Sequence, residues 1–326
     1  MDSPHPELSL VIPCFNESQI LPILRQRLIE SLAKMGMTWE VIFIDDGSRD
    51  DTFAQLEAMH AAEPRFKVLA FSRNFGHQAA VLAGLSRATG DFVAVLDADL
   101  QDPPEFVATC IAKLKEGYDV AYAVRRQRKE GILLRFCFAA FYRLLKVVSE
   151  VEIPLDSGDF CVMRQSVVAV MRSLPEHDLF LRGLRAWSGF RQIGMEYDRP
   201  ARAAGTTKFH FGHRFKFALD GMFAFSSLPL RLASYFGFLS VGISVVGGLF
   251  LAVWRVFNFK IFGYYPTFAP GWTSLMCLML FLSGLQFLLL GIIGEFISRI
   301  YTEAKQRPRW VCRAELGFPN RRDNHD

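Results

Sequence analysis

Two glycine signatures are missing from this chain. No G-x-G-x-x-G follows its first apolar run, and no G-x-x-x-x-G-K-[ST] occurs anywhere in its 326 residues. Their absence argues against a dinucleotide-binding dehydrogenase and a P-loop NTPase. Acidic residues stand where those folds place glycine, so phosphate is expected to be held through a metal and not by a backbone nest. Cysteine is sparse: six residues, at positions 14, 110, 137, 161, 277 and 312, with no paired spacing of a zinc site. They read as reduced packing residues, which suggests a cytosolic catalytic portion. Net charge is small, +4, so a whole-molecule field for nucleic acid is lacking and no nucleic-acid partner is expected. The start, MDSPHPELSL, is polar and contains proline, unlike a secretory signal. Charge is absent altogether from Leu232–Trp254 and Gly271–Gly294, and each run exceeds the ~20 apolar residues that span a bilayer.

What is present begins with an alternation. Strand-like runs at Leu8–Ile12, Glu40–Ile44, Phe66–Phe71, Phe92–Leu96 and Asp119–Ala123 are separated by helical patterns at Ser18–Met35, His77–Ala88 and Pro104–Glu116. This predicts an α/β, doubly wound sheet with right-handed crossovers. The strands run out into polar residues: Asn16 and Glu17, Asp45 and Asp46, Arg73 and Asn74, Asp97 and Asp99. In an extended chain residues i and i+2 point the same way, so Asp97 and Asp99 are expected to converge on the crevice where open α/β sheets bind ligands. Two unpaired carboxylates that close repel, and a divalent cation is their natural occupant. A turn of solvated acids is the plainer alternative. A Ca²⁺ loop is excluded because no Gly stands at its sixth position.

From Arg125 to Lys146 seven basic residues face one acid, Glu130. On a helix over 132–149, Arg135, Arg143 and Lys146 fall within roughly 80° of one another at about 100° per residue. A basic stripe on an otherwise apolar helix reads as interfacial, lying on a membrane surface; an ordinary packed helix with solvated charges is the alternative. A second region of this kind, 208–230, interleaves phenylalanines with Lys208, Arg214 and Lys216. Transmembrane helices are expected at 231–257 and 271–298, the first with Ser240, Ser244 and Gly248 as a small-residue face. Basic residues are denser outside the connecting loop Arg255–Pro270 than within it, which places both termini in the cytosol. The resulting organisation is a cytosolic catalytic domain over 1–207, two interfacial regions, two spans in the plasma (inner) membrane, and a basic tail over 299–326. Gln306-Arg-Pro-Arg-Trp310 matches the Q-x-x-R-W of processive polysaccharide synthases. Here it follows the last apolar run, and it reads as a basic juxtamembrane segment.

Six segments in order carry a resemblance: Val11-Ile-Pro-Cys-Phe-Asn-Glu17, Ile44-Asp-Asp-Gly-Ser48, Asp97-Ala-Asp-Leu-Gln-Asp102, Leu155-Asp-Ser-Gly-Asp-Phe160, Arg202-Ala-Ala-Gly-Thr-Thr-Lys208 and Phe225-Ser-Ser-Leu-Pro-Leu-Arg231. Over roughly residues 8 to 310 the chain resembles family 2 glycosyltransferases of the GT-A (Rossmann-like) fold. The likeness is to the polyprenyl-phosphate branch, with dolichol-phosphate mannose synthases and bactoprenol glucosyltransferases. Phe15 departs from the commoner Tyr. The resemblance implies that Pro13, Phe15, Glu17 and Asp46 line a nucleotide pocket, with Asp97, Ala98, Asp99 and Gln101 facing the nucleotide sugar. Asp99 and Gln101, with Asp97, would hold Mg²⁺ or Mn²⁺ on the diphosphate, and Arg202 and Lys208 would close over the phosphates. Arg125 and Arg126, and less directly Arg135 and Arg143, would meet the phosphate of the lipid acceptor. Asp156, with Asp159 as its rival, would orient the acceptor or take a proton. The implied reaction is inverting transfer of one sugar from a UDP- or GDP-linked donor to a polyprenyl phosphate such as undecaprenyl phosphate, by a membrane-embedded homo-oligomer, for example a tetramer. Transfer to another lipid such as diacylglycerol or to a growing polysaccharide, and a non-enzymatic scaffold, are the alternatives.

Overall fold

The computed structural model describes residues 5–125, 157–176, 181–197 and 271–319, with helical positions scattered between 235 and 257. The expectations for 132–149, for 208–230 and for Arg126, Arg135, Arg143, Asp156, Arg202 and Lys208 lie outside those residues, as does the side chain of Arg125. The chain divides into two compact units, Met1–Gly221 with Arg307–Asp326, and Met222–Gln306.

The first unit is built on strands β1 (Leu8–Cys14), β2 (Trp39–Asp45), β3 (Phe66–Phe71), β4 (Phe92–Val95), β5 (Val120–Arg125), β6 (Ser157–Arg164), β7 (Gln192–Tyr197) and β8 (Cys312–Leu316). They form one sheet in the order β7-β5-β6-β4-β1-β2-β3-β8. Its middle, β4-β1-β2-β3, is parallel, and every residue of β1 and β2 is buried. Strands covered on both faces read as continuous apolar runs, which is why these four are visible in the sequence. The helices between them are α1 (Leu21–Met35), α2 (Thr52–Ala62) and α3 (His77–Arg87), followed by α4 (Phe106–Lys115). Pro in the first turn of α1 and Gly36 at its end, in the left-handed region at φ 63°, fix its limits.

β1 runs past Ile12, the end of its expected strand, and Pro13 pairs with Ile44 inside it. Val11 O accepts from Leu96 N–H on the β4 side, whereas Cys14 O accepts from Asp46 N–H on the β2 side. By alternation Pro13 faces β4, beyond the last β1–β4 pair at Val11↔Val95, so its missing N–H forfeits no ladder bond.

The sheet is mixed, as in the expected GT-A (Rossmann-like) fold. β6 runs antiparallel between β4 and β5 and separates two strands that follow one another in the parallel alternation. Helices α5 (Gln165–Ser173) and α6 (Leu181–Trp187) follow it. A second antiparallel strand closes the other edge. The segment after residue 299, expected as a basic tail, places Cys312–Leu316 beside β3, and Trp310 of the preceding stretch stacks on Phe71 with ring centroids 6.3 Å apart.

In the second unit α7 (Trp272–Ala304) is a 33-residue helix. Its part Phe281–Ala304 is the single helix among the described residues that is long and apolar enough to cross a membrane. Its large apolar side chains are exposed, among them Phe281, Phe287 and Ile300. The described positions of the first expected span, 231–257, are helical; two spans are not established.

Candidate active site

Neighbouring parallel strands bring their carboxyl ends together, and so the turns after β1, β2, β3 and β4 share one rim of the sheet. β4 stops at Val95 and Asp97–Leu100 is a turn, so the extended-chain reason for pairing the two carboxylates does not apply. An alternation survives all the same. Asp97, Asp99 and Gln101 are half-buried, whereas Ala98, Leu100 and Asp102 are buried. The turn is shaped by Leu100 at φ 57° and by Asp99 Oδ1, which accepts Gln101 N–H at 3.1 Å. Asp102 precedes α4, whose N-cap is Glu105, and accepts the Tyr197 hydroxyl at 2.8 Å across the sheet. No group of three or more His, Cys, Asp or Glu among the described residues could hold a metal alone. Two carboxylates and an amide oxygen suit a hard cation whose remaining ligands are phosphate oxygens and water, so the residues present fit a metal that arrives with a diphosphate.

The turns after β1 and β2 are tied together. Pro13 is buried in the strand, with Phe15 and Glu17 half-buried on the turn after it. Asn16, at φ 54°, donates its N–H to Ser48 Oγ at 3.0 Å, and its Oδ1 accepts Arg49 N–H at 2.8 Å. Glu17 N–H donates to Thr52 Oγ1 at 2.9 Å. Asp46 is 3% exposed, and its carboxylate accepts Phe75 N–H at 2.7 Å and Gly76 N–H at 3.0 Å, clasping the β3–α3 loop. Burial raises its carboxyl above the ordinary value against the lowering effect of those amides. Both oxygens of Asp46 thus serve the scaffold of the crevice.

Two residues not expected from the sequence complete this rim. His77, the first residue of α3, has Nε2 3.4 Å from Asp159 Oδ2 and 3.8 Å from Asp97 Oδ1. Arg182 of α6 binds Asp159 through two parallel hydrogen bonds, at 2.7 and 3.1 Å. Burial works against a charged His77, but the hydrogen bond to Asp159 and the Asp97 charge prevail and push it up to about 9. With 40% of that side chain exposed, the carboxylates decide its charge. Burial would raise Asp159, yet the Arg182 charge and the His77 hydrogen bond hold it far below the usual carboxylate range. The cluster unites α3, the turn after β4, β6 and α6. One signal was legible: His77 opens the helix after β3, on the same rim as the acids.

The chain matches the family described as "Glycosyl transferase family 2" over residues 9–171. It is 42% identical over 321 residues to YkcC, an uncharacterized glycosyltransferase of Bacillus subtilis, covering 98% of this chain and 97% of that one. It is 36% identical over 310 residues to the bactoprenol glucosyl transferase of Shigella phage SfV, covering 95% of this chain and 99% of that protein. Among solved structures it is similar to the mannosyltransferase PcManGT of Pyrobaculum calidifontis in complex with GDP-Man and Mn²⁺, with TM-score 0.42 and 18% identity, over 61% of this chain and 59% of that one. From β1 through α5 the matched segment holds the parallel core of the sheet and its acidic turns, and the chain is a glycosyltransferase belonging to glycosyl transferase family 2.

Proposed function

We propose that the chain transfers one sugar, with inversion, from a UDP- or GDP-linked donor to a polyprenyl phosphate of the undecaprenyl type at the cytosolic face of the membrane. The observation that carries this reading is the acidic turn Asp97-Ala98-Asp99 at the end of β4. It stands in a chain that aligns over nearly its whole length with a bactoprenol glucosyl transferase.

The turns bearing Phe15, Glu17 and Asp46 would enclose the nucleoside, and Asp97, Asp99 and Gln101 would face its diphosphate. These three would hold Mg²⁺ or Mn²⁺ there, a cation that supplies neutralisation of the charge growing on the leaving nucleoside diphosphate. His77, hydrogen-bonded to Asp159 and with its pKa raised by it, would stand beside the diphosphate site with Nε2 3.8 Å from Asp97 Oδ1. The acceptor phosphate has a second pKa near ~6 and is largely dianionic at neutral pH. Its oxygen attacks the anomeric carbon as the bond to the diphosphate breaks on the opposite face, which inverts the centre. No strong base is needed, and Asp159, paired with Arg182 and His77, is a poor one; its part is to hold His77 charged and in place. Asp156 is then the residue to orient the acceptor or take a residual proton.

The test offers membranes containing the protein radiolabelled UDP- and GDP-sugars with undecaprenyl phosphate, in Mg²⁺ or Mn²⁺, and counts the lipid fraction. Label is expected from one donor and is lost in Asp99→Ala. No incorporation from any donor, or undiminished transfer by Asp99→Ala, would sink the reading.

A further inference from the structure

The chain that follows α7 returns to the sheet, and its register there is irregular. β8 pairs Val68↔Leu316, Leu69↔Glu315 and Ala70↔Ala314, but the next pair is Phe71↔Cys312. Arg313 is therefore the extra residue of a β-bulge, a device that re-aims a side chain. Its guanidinium reaches across β3 to β2, where Nη2 donates to Asp45 Oδ2 at 3.0 Å, and it lies 4.5 Å from the Phe53 ring of α2. The β3 residue in that row is Ala70, paired with Asp45 on one side and Ala314 on the other, a side chain small enough to let the guanidinium pass. Asp45 is fully buried, and among the described residues Arg313 is the cation paired with it.

Asp45 leads directly into the crevice. Its Oδ1 accepts Ser48 N–H at 3.0 Å, and Ser48 Oγ accepts Asn16 N–H at 3.0 Å. A line of contacts thus runs from the strand after α7, through Arg313, Asp45 and Ser48, to the turns that carry Phe15, Glu17 and Asp46. We infer that Arg313 is a positioning residue for the donor nucleotide. The β1 and β2 turns hold their binding shape only while β8 is docked and its guanidinium neutralises Asp45. This rests on the proposal that those turns bind the nucleotide. Without the guanidinium, a buried carboxylate is left with an uncompensated charge and the turn must relax to hydrate it. Donor binding then suffers, while the groups around Asp97 and Asp159 keep their places.

The experiment uses the full-length protein in detergent, with donor KM and kcat for sugar transfer and Kd for UDP and GDP measured side by side. Arg313→Ala is expected to raise donor KM and the nucleotide Kd by about tenfold or more, the loss of one charge-assisted hydrogen bond, with kcat within about threefold. Arg313→Lys keeps the charge and should bring KM back to within about threefold of wild type. Glu315→Ala, which breaks the ion pair between Glu315 of the same strand and Arg87 of α3, should leave KM unchanged. The inference is overturned if Arg313→Ala leaves KM and Kd within about twofold of wild type, or if Glu315→Ala raises them as much. Should Arg313→Ala not fold, Arg313→Gln decides: a raised KM at unchanged kcat supports the inference and an unchanged KM overturns it. Wild type that binds neither UDP nor GDP would bring down the nucleotide reading and this inference with it. Wild type and Arg313→Ala binding equally well would bring down the inference alone.

Discussion

Gly47→Ala should damage both stability and turnover, and the sizes can be worked out from its surroundings. Gly47 sits at φ 69°, and a Cβ there would meet Arg73 C at 2.4 Å and Asn74 N at 2.6 Å. Both are backbone atoms, so the β3–α3 loop must retreat by about 1 Å to reach ordinary contact at 3.4 Å. A left-handed backbone costs an L residue about 1–2 kcal/mol. The retreat also strains the bonds from Phe75 and Gly76 N–H to Asp46, and losing one charge-assisted bond adds about 1.5–3 kcal/mol. The sum is about 2.5–5 kcal/mol, or roughly 5–20 °C in Tm at about 2–4 °C per kcal/mol for a domain of this size. Gly36→Ala is the control: it has φ 63° and nothing within 4 Å of its Cβ, so it should lose only the backbone share, about 2–8 °C. Since Gly47 lies between Asp46 and Ser48, a displacement of about 1 Å should also cut sugar transfer about a hundredfold at permissive temperature, which Gly36→Ala should not. Thermal unfolding and label incorporation read both effects. Equal Tm values for the two variants, within about 2 °C, would refute the close approach of the two turns.

Two further outcomes follow from the ion pairs. Glu40 is 2% exposed and accepts from Ser9 Oγ and from Thr89 N–H and Oγ1, with Lys67 Nζ 2.7 Å away. Burial raises its carboxyl, but the bonds from Lys67, Ser9 and Thr89 outweigh it and hold it below the ordinary 4.5. A depressed carboxylate stabilises the fold above its unfolded pKa, and that stabilisation is lost as pH falls through the folded value. The Tm gap between wild type and Glu40→Gln should therefore be full at pH 7 and shrink below about pH 4.5; a gap independent of pH down to about 3 would contradict it. Arg182→Ala leaves Asp159, 17% exposed, without its two guanidinium bonds. Discounted for the 28% exposure of Arg182, this should cost about 2 kcal/mol, or about 4–8 °C by calorimetry. Arg182→Lys should recover part of that, and an unchanged Tm in Arg182→Ala would rule out the pair.

What could be read from residues alone follows burial and distance along the chain. β1 to β4 are apolar runs buried on both faces, so the parallel core and its acidic turns were legible, Asp97 and Asp99 among them. β6 begins Ser157-Gly158-Asp159 and pairs antiparallel between strands made long before it, a choice set by tertiary pairing and not by local pattern. β8 alternates half-buried Cys312, Ala314 and Leu316 with exposed Arg313 and Glu315. A short, charged edge strand protects a sheet from pairing with other chains, and by composition it looks like a soluble tail. His77 and Arg182 had no spacing to betray them, because the cluster joins residues about a hundred positions apart through the packing of α3, β6 and α6.

That cluster bears on the choice of acceptor. A hydroxyl nucleophile must lose its proton in the transition state and needs a base whose pKa lies near the working pH. Of the two acids in Leu155-Asp-Ser-Gly-Asp-Phe160, Asp159 is held ionised far below that range by Arg182 and His77, and its oxygens are already engaged. His77 is engaged as well, its Nε2 3.4 Å from Asp159 Oδ2, and that carboxylate pushes the imidazole toward its protonated form. Asp159 and His77 therefore form a charged pair and not a free base, which suits an acceptor that arrives ionised. Among the acceptors considered, a phosphomonoester meets that condition; a diacylglycerol or polysaccharide hydroxyl would place the whole burden of proton removal on Asp156. Asp156→Asn then separates the two: transfer that falls only in part belongs to a phosphate acceptor, and transfer abolished belongs to a hydroxyl.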